Sequence, residues 1–411
     1  MTMRKKALLV LGGASEIQSR HLYDQARAQG LRVVLTDTPN RLAQAVQLHD
    51  LADEVHPLDF EDVSACLKWV GKYPRRELLA GAFSFKEKAQ LAIAALVRRF
   101  GFKGPSERAH ECTTNKFVCR DTLRAAGFAQ PEARLCRSGE AIDQAFAELS
   151  RRHRKLILKP MIGYGSENVF LVDSATALAT ALAQLRPASE RPFLLESFVE
   201  GREFSAEGLC VRGLPRVLSL TQKFVIGGGN FVECGHVAPA DLPPALRERA
   251  ITVVQSAVHA VGLTFGMFHA EFWACDAGEI VMGEIHSRPG GDYITHLTQH
   301  VTGIAYYGSV FAQMLCADAG VVMLPAARCG AAGIRYFVPP AGRVTEITGY
   351  DRLPEMPGYA GAAMLIKVGD TVKPVRHSFD RVGHVLAIGA SATEVKDRLE
   401  RMIMAVAITV Q

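Results

Sequence analysis

Apolar runs and helix-period stretches alternate along the first hundred residues. ALLVLGG at 7–13 is a short run ending in glycines, EIQSRHLYDQARAQG carries its apolar positions at helical spacing and stops at Gly30, and LRVVLTD is the next run. The pattern predicts an opening strand–helix–strand unit. LLAGAFSF and then KEKAQLAIAALVRRFG extend it and close a first α/β domain near Gly101 to Pro105. From 155 to 236 the pattern changes to short strands: KLILKP, NVFLV, FLLESFV, REFSAEGLCV, PRVLSLTQKF and FVECGHV, interrupted by a helix near 174–186. A helix over 244–261 leads into a hairpin, and a further helix is expected over roughly 293–316. The last eighty residues mix strands (GIRYFVPP, AAMLIKVG, GHVLAIG) with a helix whose Ser391 and Glu394 form an S-x-x-E capping box.

A chain of 411 residues, 48% hydrophobic, is too long for one ordinary core and implies two to four packed units. No run of roughly 18 uncharged apolar residues occurs, and Met1–Lys6 leads straight into a strand rather than a signal-peptide cleavage site, so neither a membrane span nor export is expected. The nine cysteines include no CxxC pair, which argues against a disulfide framework or zinc ribbon and for reduced thiols in the cytoplasm. The net charge of +5 is spread among acids, which suits anionic small ligands and gives no basic stripe for nucleic acid.

Four stretches carry candidate chemistry. In HAEFWACDAGEIVMGEIHSRPGG (269–291), a two-residue turn at Ala277-Gly278 would set Glu271 opposite Glu284 and His269 opposite His286. Carboxylates about 5 Å apart at Cβ repel, and a cation between them relieves that; an all-oxygen pair suits Mg²⁺. The alternative is a solvated face, with Asp276-Ala277-Gly278 forming a bulged turn that breaks the register.

KLILKPMIGYGSENVFLV ends a strand at Lys159 and follows it with Gly163, Tyr164, Gly165 and Ser166, either a loop that folds over phosphates or an ordinary glycine turn. GxxxxGK[ST] is absent, and LGGASE at 11–16 lacks the GxGxxG spacing, so Gly12-Gly13 reads first as a strand-to-helix turn. LLESFVEGREFSAEG offers Glu196, Val199 and Glu203 as possible nucleoside contacts or as a solvated acidic loop. QKFVIGGGNFVECGHVAP pairs a triple glycine with Glu233 and His236, which could meet an ammonium group or take a proton from an amine. Upstream, Thr113 or Thr114 could cap a helix whose first turn holds Lys116; a cation at that end is disfavoured unless it has an anionic partner.

These pieces, in this order, resemble the ATP-grasp superfamily along essentially the whole chain, and within it the L-amino acid ligases. The resemblance implies a Rossmann-like α/β domain at 1–110, a small lid subdomain with a central glycine loop at 111–195, and a large C-terminal domain at 196–411 whose end, 330–411, is mixed α/β. It implies ATP phosphates held by Lys116 and Lys159 under Gly163, Gly165 and Ser166, adenine read by Glu196 and the backbone at Val199, and ribose contacted by Glu203. Glu271 and Glu284 match the paired Mg²⁺ ligands, which also accept Mn²⁺.

The third family ligand is commonly Asn, where this chain has His286; a poor Mg²⁺ ligand, it is expected beside the metal or substrate. Glu233 and His236 match residues that address the amino-acid substrate, and Arg288 one that steadies the acyl phosphate. Residues around Ser84 to Glu87, with Gly291, Asp292 and His296, are expected to line the substrate pockets, Asp292 either favouring a small or cationic amine or simply capping the helix after it. The implied activity joins two amino acids, through an aminoacyl phosphate, into a dipeptide with release of ADP and phosphate, in a homodimer acting on small molecules. A carboxylase or purine-pathway ligase using bicarbonate or formate is the alternative enzyme, and a non-catalytic nucleotide-binding protein the alternative of another class.

Overall fold

Four parallel strands open the chain: β1 (Ala7–Leu11), β2 (Arg32–Asp37), β3 (Glu54–Pro57) and β4 (Leu79–Phe83), in the order β3-β2-β1-β4. Every side chain of β1 is buried because its alternate residues feed two cores, Leu8 and Val10 on one face, Leu9 and Leu11 on the other. The strand order reverses between β1 and β4, so the loops after them, Gly12-Gly13 and Ser84–Glu87, flank the crevice where open α/β sheets place ligands. The computed structural model describes residues 5–14, 16–137, 139–163, 165–185, 192–325 and 328–411.

A second, antiparallel sheet is built from β5 (Ala133–Cys136), β6 (Leu156–Pro160), β7 (Phe170–Val172) and β8 (Phe193–Ser197), ordered β5-β8-β6-β7. Helices Gly139–Leu149 and Ala175–Leu185 close a small core over Leu156, Leu158 and Leu195. The glycine loop joins β6 to β7.

The third sheet has eight antiparallel strands. They are β9 (Arg202–Val211), β10 (Leu214–Gly227), β11 (Asn230–Ala238), β12 (Gly266–Ala274), β13 (Ile280–His286) and β14 (Ala331–Tyr336), followed by β16 (Tyr359–Met364) and β18 (Gly383–Gly389). Their order is β13-β12-β9-β10-β11-β14-β18-β16. β15 (Gly342–Thr348), β17 (Thr371–Val372) and β19 (Ala407–Val410) form a separate small sheet. Strand parity divides the large sheet. Phe204, Ala206, Ala270, Phe272 and Met282 face a core shared with helix Pro244–Ala260, while Glu203, Ser205, Glu207, His269 and Glu271 alternate with them and face the other way.

Helices Glu107–Thr114 and Lys116–Ala125 place Ala109, Cys112, Cys119 and Leu123 in the core of the large sheet. One expectation changes here. The single helix over 293–316 is two, Ile294–Thr302 and Tyr306–Leu315, because Gly303 takes a left-handed φ of 70° and stops the first. The second packs Tyr307, Val310, Phe311 and Met314 against the N-terminal sheet. None of the described helices is long and apolar enough to cross a membrane.

Candidate active site

The hairpin β12–β13 settles its own register. Its turn is longer than two residues, with Cys275 paired to Glu279, so Ala274 opposes Ile280 and Phe272 opposes Met282. A β-bulge then sets Gly283 and Glu284 together against Glu271, and the expected pairing of His269 with His286 is restored beyond it. A bulged turn and a facing pair of acids therefore coexist. Gly283 is required there: a Cβ would lie 2.8 Å from the Glu271 carbonyl oxygen.

Lys116 begins its helix, capped by the side chain of Asn115 rather than by Thr113 or Thr114, which end the preceding helix. The awkwardly placed cation has its anion: Nζ lies 3.2 Å from Glu284 and donates to the Gly163 carbonyl at 2.9 Å. Lys159 on β6 is buried between Glu284 at 3.3 Å and Glu196 at 2.9 Å. Burial alone would raise the pKa of Glu284, but Lys116 and Lys159 outweigh it and hold the group ionised well below the ordinary carboxylate range.

Glu196 is not on a solvated loop. It is buried on β8, where burial is outweighed by Arg120 and Lys159 and its pKa falls to about 2. Arg120, four residues after Lys116 on one helix face, pairs with Glu196 at 2.9 Å and donates to the Gly283 carbonyl, pinning the bulge. Val199, beyond β8, makes no backbone hydrogen bond among the described residues.

A second cluster centres on Lys223 of β10. Its buried Nζ lies 2.6 Å from Glu203, 2.7 Å from Glu233 and 2.7 Å from Glu271. Burial opposes its charge, but the three carboxylates prevail and lift its pKa well above the lysine value. Glu203 thus shares Lys223 with Glu233 and Glu271. Glu233 and His236 are an odd number of residues apart on β11 and would point to opposite faces, but a register shift at Cys234 turns both toward the site.

Below Glu271, buried His269 bridges to Glu207, with Nδ1 2.8 Å from Glu207 and Nε2 3.2 Å from Glu271. Burial is outweighed by Glu207, and the imidazole pKa rises to about 9. His286 stacks 5.8 Å from His269 and lies 3.4 Å from Glu284 and 3.2 Å from Glu87.

Arg288 donates to Glu87 and, at 2.9 Å, to the carbonyl of Pro289. Glu87 is the residue of the β4 loop that reaches the site; Ser84 turns inward, its buried hydroxyl accepting from the Lys86 amide. Asp292 does not cap a helix. Its carboxylate takes a two-pronged pair from Arg381 at 2.6 and 2.7 Å and lies 3.3 Å from His236. Gly291 is exposed, and its carbonyl accepts from the Ile294 amide. His296 packs on Tyr293 and His21, 4.4 Å from the latter, and burial pushes its pKa down to about 3, so it is a neutral ring.

Over the cleft, Gly165 and Ser166 meet the large domain: the Gly165 carbonyl accepts from the Ser378 amide at 3.2 Å and Ser166 Oγ donates to the Phe231 carbonyl at 3.0 Å. The loop is closed. Tyr164 lies outside the described residues.

The ATP-grasp domain family matches residues 153–296, and the L-amino acid ligase C-terminal domain 2 family matches 335–411. The chain carries an ATP-grasp domain and, after it, an L-amino acid ligase C-terminal domain. The chain is 26% identical over 364 residues to an uncharacterised protein of Sinorhizobium fredii, covering 85% of this chain and 72% of that one. It is 23% identical over 299 residues to an L-arginine-specific L-amino acid ligase of Bacillus subtilis, covering 70% of each. Its fold matches the crystal structure of an L-amino acid ligase from Bacillus licheniformis with a TM-score of 0.80 at 22% identity over 100% of both chains.

Reading the motifs alone misses Arg120, Glu207, Lys223 and Arg381. Signals existed for three: Arg120 sits one helical turn after Lys116, and Glu207 and Lys223 continue the period-two rows Glu203-Ser205-Glu207 and Ser219-Thr221-Lys223. Arg381 lies in a loop and carries no such sign.

Proposed function

We propose that this ATP-grasp protein joins two amino acids in two steps. A carboxylate oxygen of the first attacks the γ-phosphorus of ATP and ADP leaves; the amine of the second attacks the acyl carbon, phosphate leaves, and one proton is lost from nitrogen. The observation that carries the reading is Glu284, facing Glu271 across the bulge and bridged to both Lys116 and Lys159. These lysines pair with acids here and would exchange them for phosphate oxygens under the closed glycine loop.

The donor set fits a hard divalent cation: Glu271 and Glu284 face each other with carboxylate oxygens, whereas the converging oxygens of Glu203, Glu233 and Glu271 are gathered by Lys223. Glu271 and Glu284 would hold Mg²⁺, or Mn²⁺ in its place, which draws charge from the phosphate oxygens when bound. Glu196 and the unpaired backbone at Val199 suit adenine, with Glu196 acting from within its ion pair, and Glu203 would contact ribose in exchange for its pair with Lys223. Arg288 is the cation for the acyl phosphate, Glu233 the partner of the first substrate's ammonium, and His236 the acceptor of the amine proton. Closure keeps water from the acyl phosphate. The nine cysteines are all free, which accords with a cytoplasmic protein; the expected homodimer is testable by light scattering.

Mass spectrometry of Mg-ATP with pooled amino acids should find a dipeptide with stoichiometric ADP and phosphate. Turnover that instead needs bicarbonate, without amino acids, would establish the carboxylase reading. A nucleotide-binding protein without catalysis would release no phosphate with any pool.

A further inference from the structure

Arg381 comes from the L-amino acid ligase C-terminal domain, yet it ends among the residues assigned to the amino-acid site. It is 8% exposed, and its donors are spent in several directions. Nε donates to the Ser378 carbonyl at 2.6 Å, Nη1 to the Glu233 carbonyl at 2.9 Å and to Asp292 Oδ2 at 2.6 Å, and Nη2 to Asp292 Oδ1 at 2.7 Å. The guanidinium carbon lies 3.6 Å from the centre of the Tyr336 ring. A guanidinium held by two parallel bonds, two carbonyls and an aromatic face has one orientation, and a lysine could not reproduce it.

Asp292 then passes that orientation on. Its Oδ2 is 3.3 Å from His236 Nε2, in a ring with no exposure. Asp292 and Tyr293 both have left-handed backbone, with φ of 51° and 63°, which side-chain-bearing residues adopt at a cost and keep only where their surroundings impose it. The fork from Arg381 grips the Asp292 side chain there, on the loop that begins with Arg288. The same short turn also receives the lid, since the Ser378 amide donates to the Gly165 carbonyl.

We propose that Arg381 is a positioning residue for the amino-acid site: through Asp292 it fixes His236 and the Arg288–Tyr293 loop in the arrangement that accompanies the closed glycine loop. This rests on the ligase reading.

The test is steady-state kinetics of Arg381→Met, Arg381→Lys, Asp292→Asn and the Met/Asn double variant, with melting temperatures alongside. Arg381→Met should lower kcat/KM for the amino acids by about tenfold or more while the KM for ATP stays within about twofold. Arg381→Lys should recover only part of the loss. Asp292→Asn alone should cost about as much as Arg381→Met, yet add less than about threefold in its background, because the pair acts as one unit.

Amino-acid kcat and KM within about twofold of wild type in Arg381→Met, or an equal rise in the KM for ATP with a matching fall in melting temperature, would overturn the proposal. If Arg381→Met does not fold, normal amino-acid kinetics in both Arg381→Lys and Asp292→Asn overturns it. A wild-type protein inactive with every amino-acid pool fails the ligase reading itself, whereas an active wild type with unchanged variants fails only the role of Arg381.

Discussion

Arg120 donates to the carbonyl oxygen of Gly283, the residue that, with Glu284, makes the bulge facing Glu271. The same guanidinium pairs with Glu196 in a setting where the two side chains are 1% and 4% exposed. Helix Lys116–Ala125 therefore supplies both Lys116 and the clamp that aims Lys116's partner, Glu284.

Removing one member of a buried pair leaves the other charged and unsatisfied. Arg120→Met should destabilise the protein by about 3–5 kcal/mol, measured by urea unfolding. A double change of Arg120→Met with Glu196→Gln should cost less than the sum of the two.

The Glu196 pair also sets a pH dependence. Its folded pKa, about 2, lies below the ordinary glutamate value of 4.5, so its stabilisation is fully present above that value and is lost as pH falls toward 2. The urea midpoint of the wild type should decline between pH 5 and pH 3, as order-of-magnitude bounds. Glu196→Gln should start lower at pH 7 and decline less over the same range.

Glu271→Gln and Glu284→Gln should each reduce phosphate release by about 10²–10³-fold with the fold intact by circular dichroism, because each removes a charge from the pair that would hold the divalent cation. Chelating divalent ions should abolish turnover in the wild type, and added Mg²⁺ should restore it. Full activity in both variants would count against the assigned metal pair.

Gly283→Ala tests the bulge without touching any charge. The added methyl would press on the Glu271 carbonyl at 2.8 Å, and a shift of about 1 Å in Glu271 or Glu284 should cost on the order of a hundredfold in kcat. Thermal unfolding of the variant separates this from a collapse of the hairpin.

Much of the site is legible in the chain because its parts are local. Lys159 ends a strand and is followed at once by glycines; Glu271, Glu284 and His269–His286 lie on one hairpin, where period-two alternation and a turn constrain facing residues. The two bulges were not legible. A one-residue slip at Gly283 or Cys234 depends on what packs against the strand, here Arg120 for the first, and no alternation pattern encodes it. The break at Gly303 was written as a glycine in a long apolar stretch, but only packing of Tyr307 and Phe311 on the N-terminal sheet gives the second helix its own direction.

By itself the sequence determined the opening strand–helix–strand unit, the lysines, the glycine loop and the acidic hairpin, since each follows from residue type and short-range spacing. Only the tertiary structure decided which charges meet. Lys223 among Glu203, Glu233 and Glu271, Arg120 on Glu196, Glu87 on Arg288 and Arg381 on Asp292 join residues from separate elements. Such pairs form because a buried ion must find a partner, and where that partner stands is fixed by how sheets and helices pack, not by any local pattern.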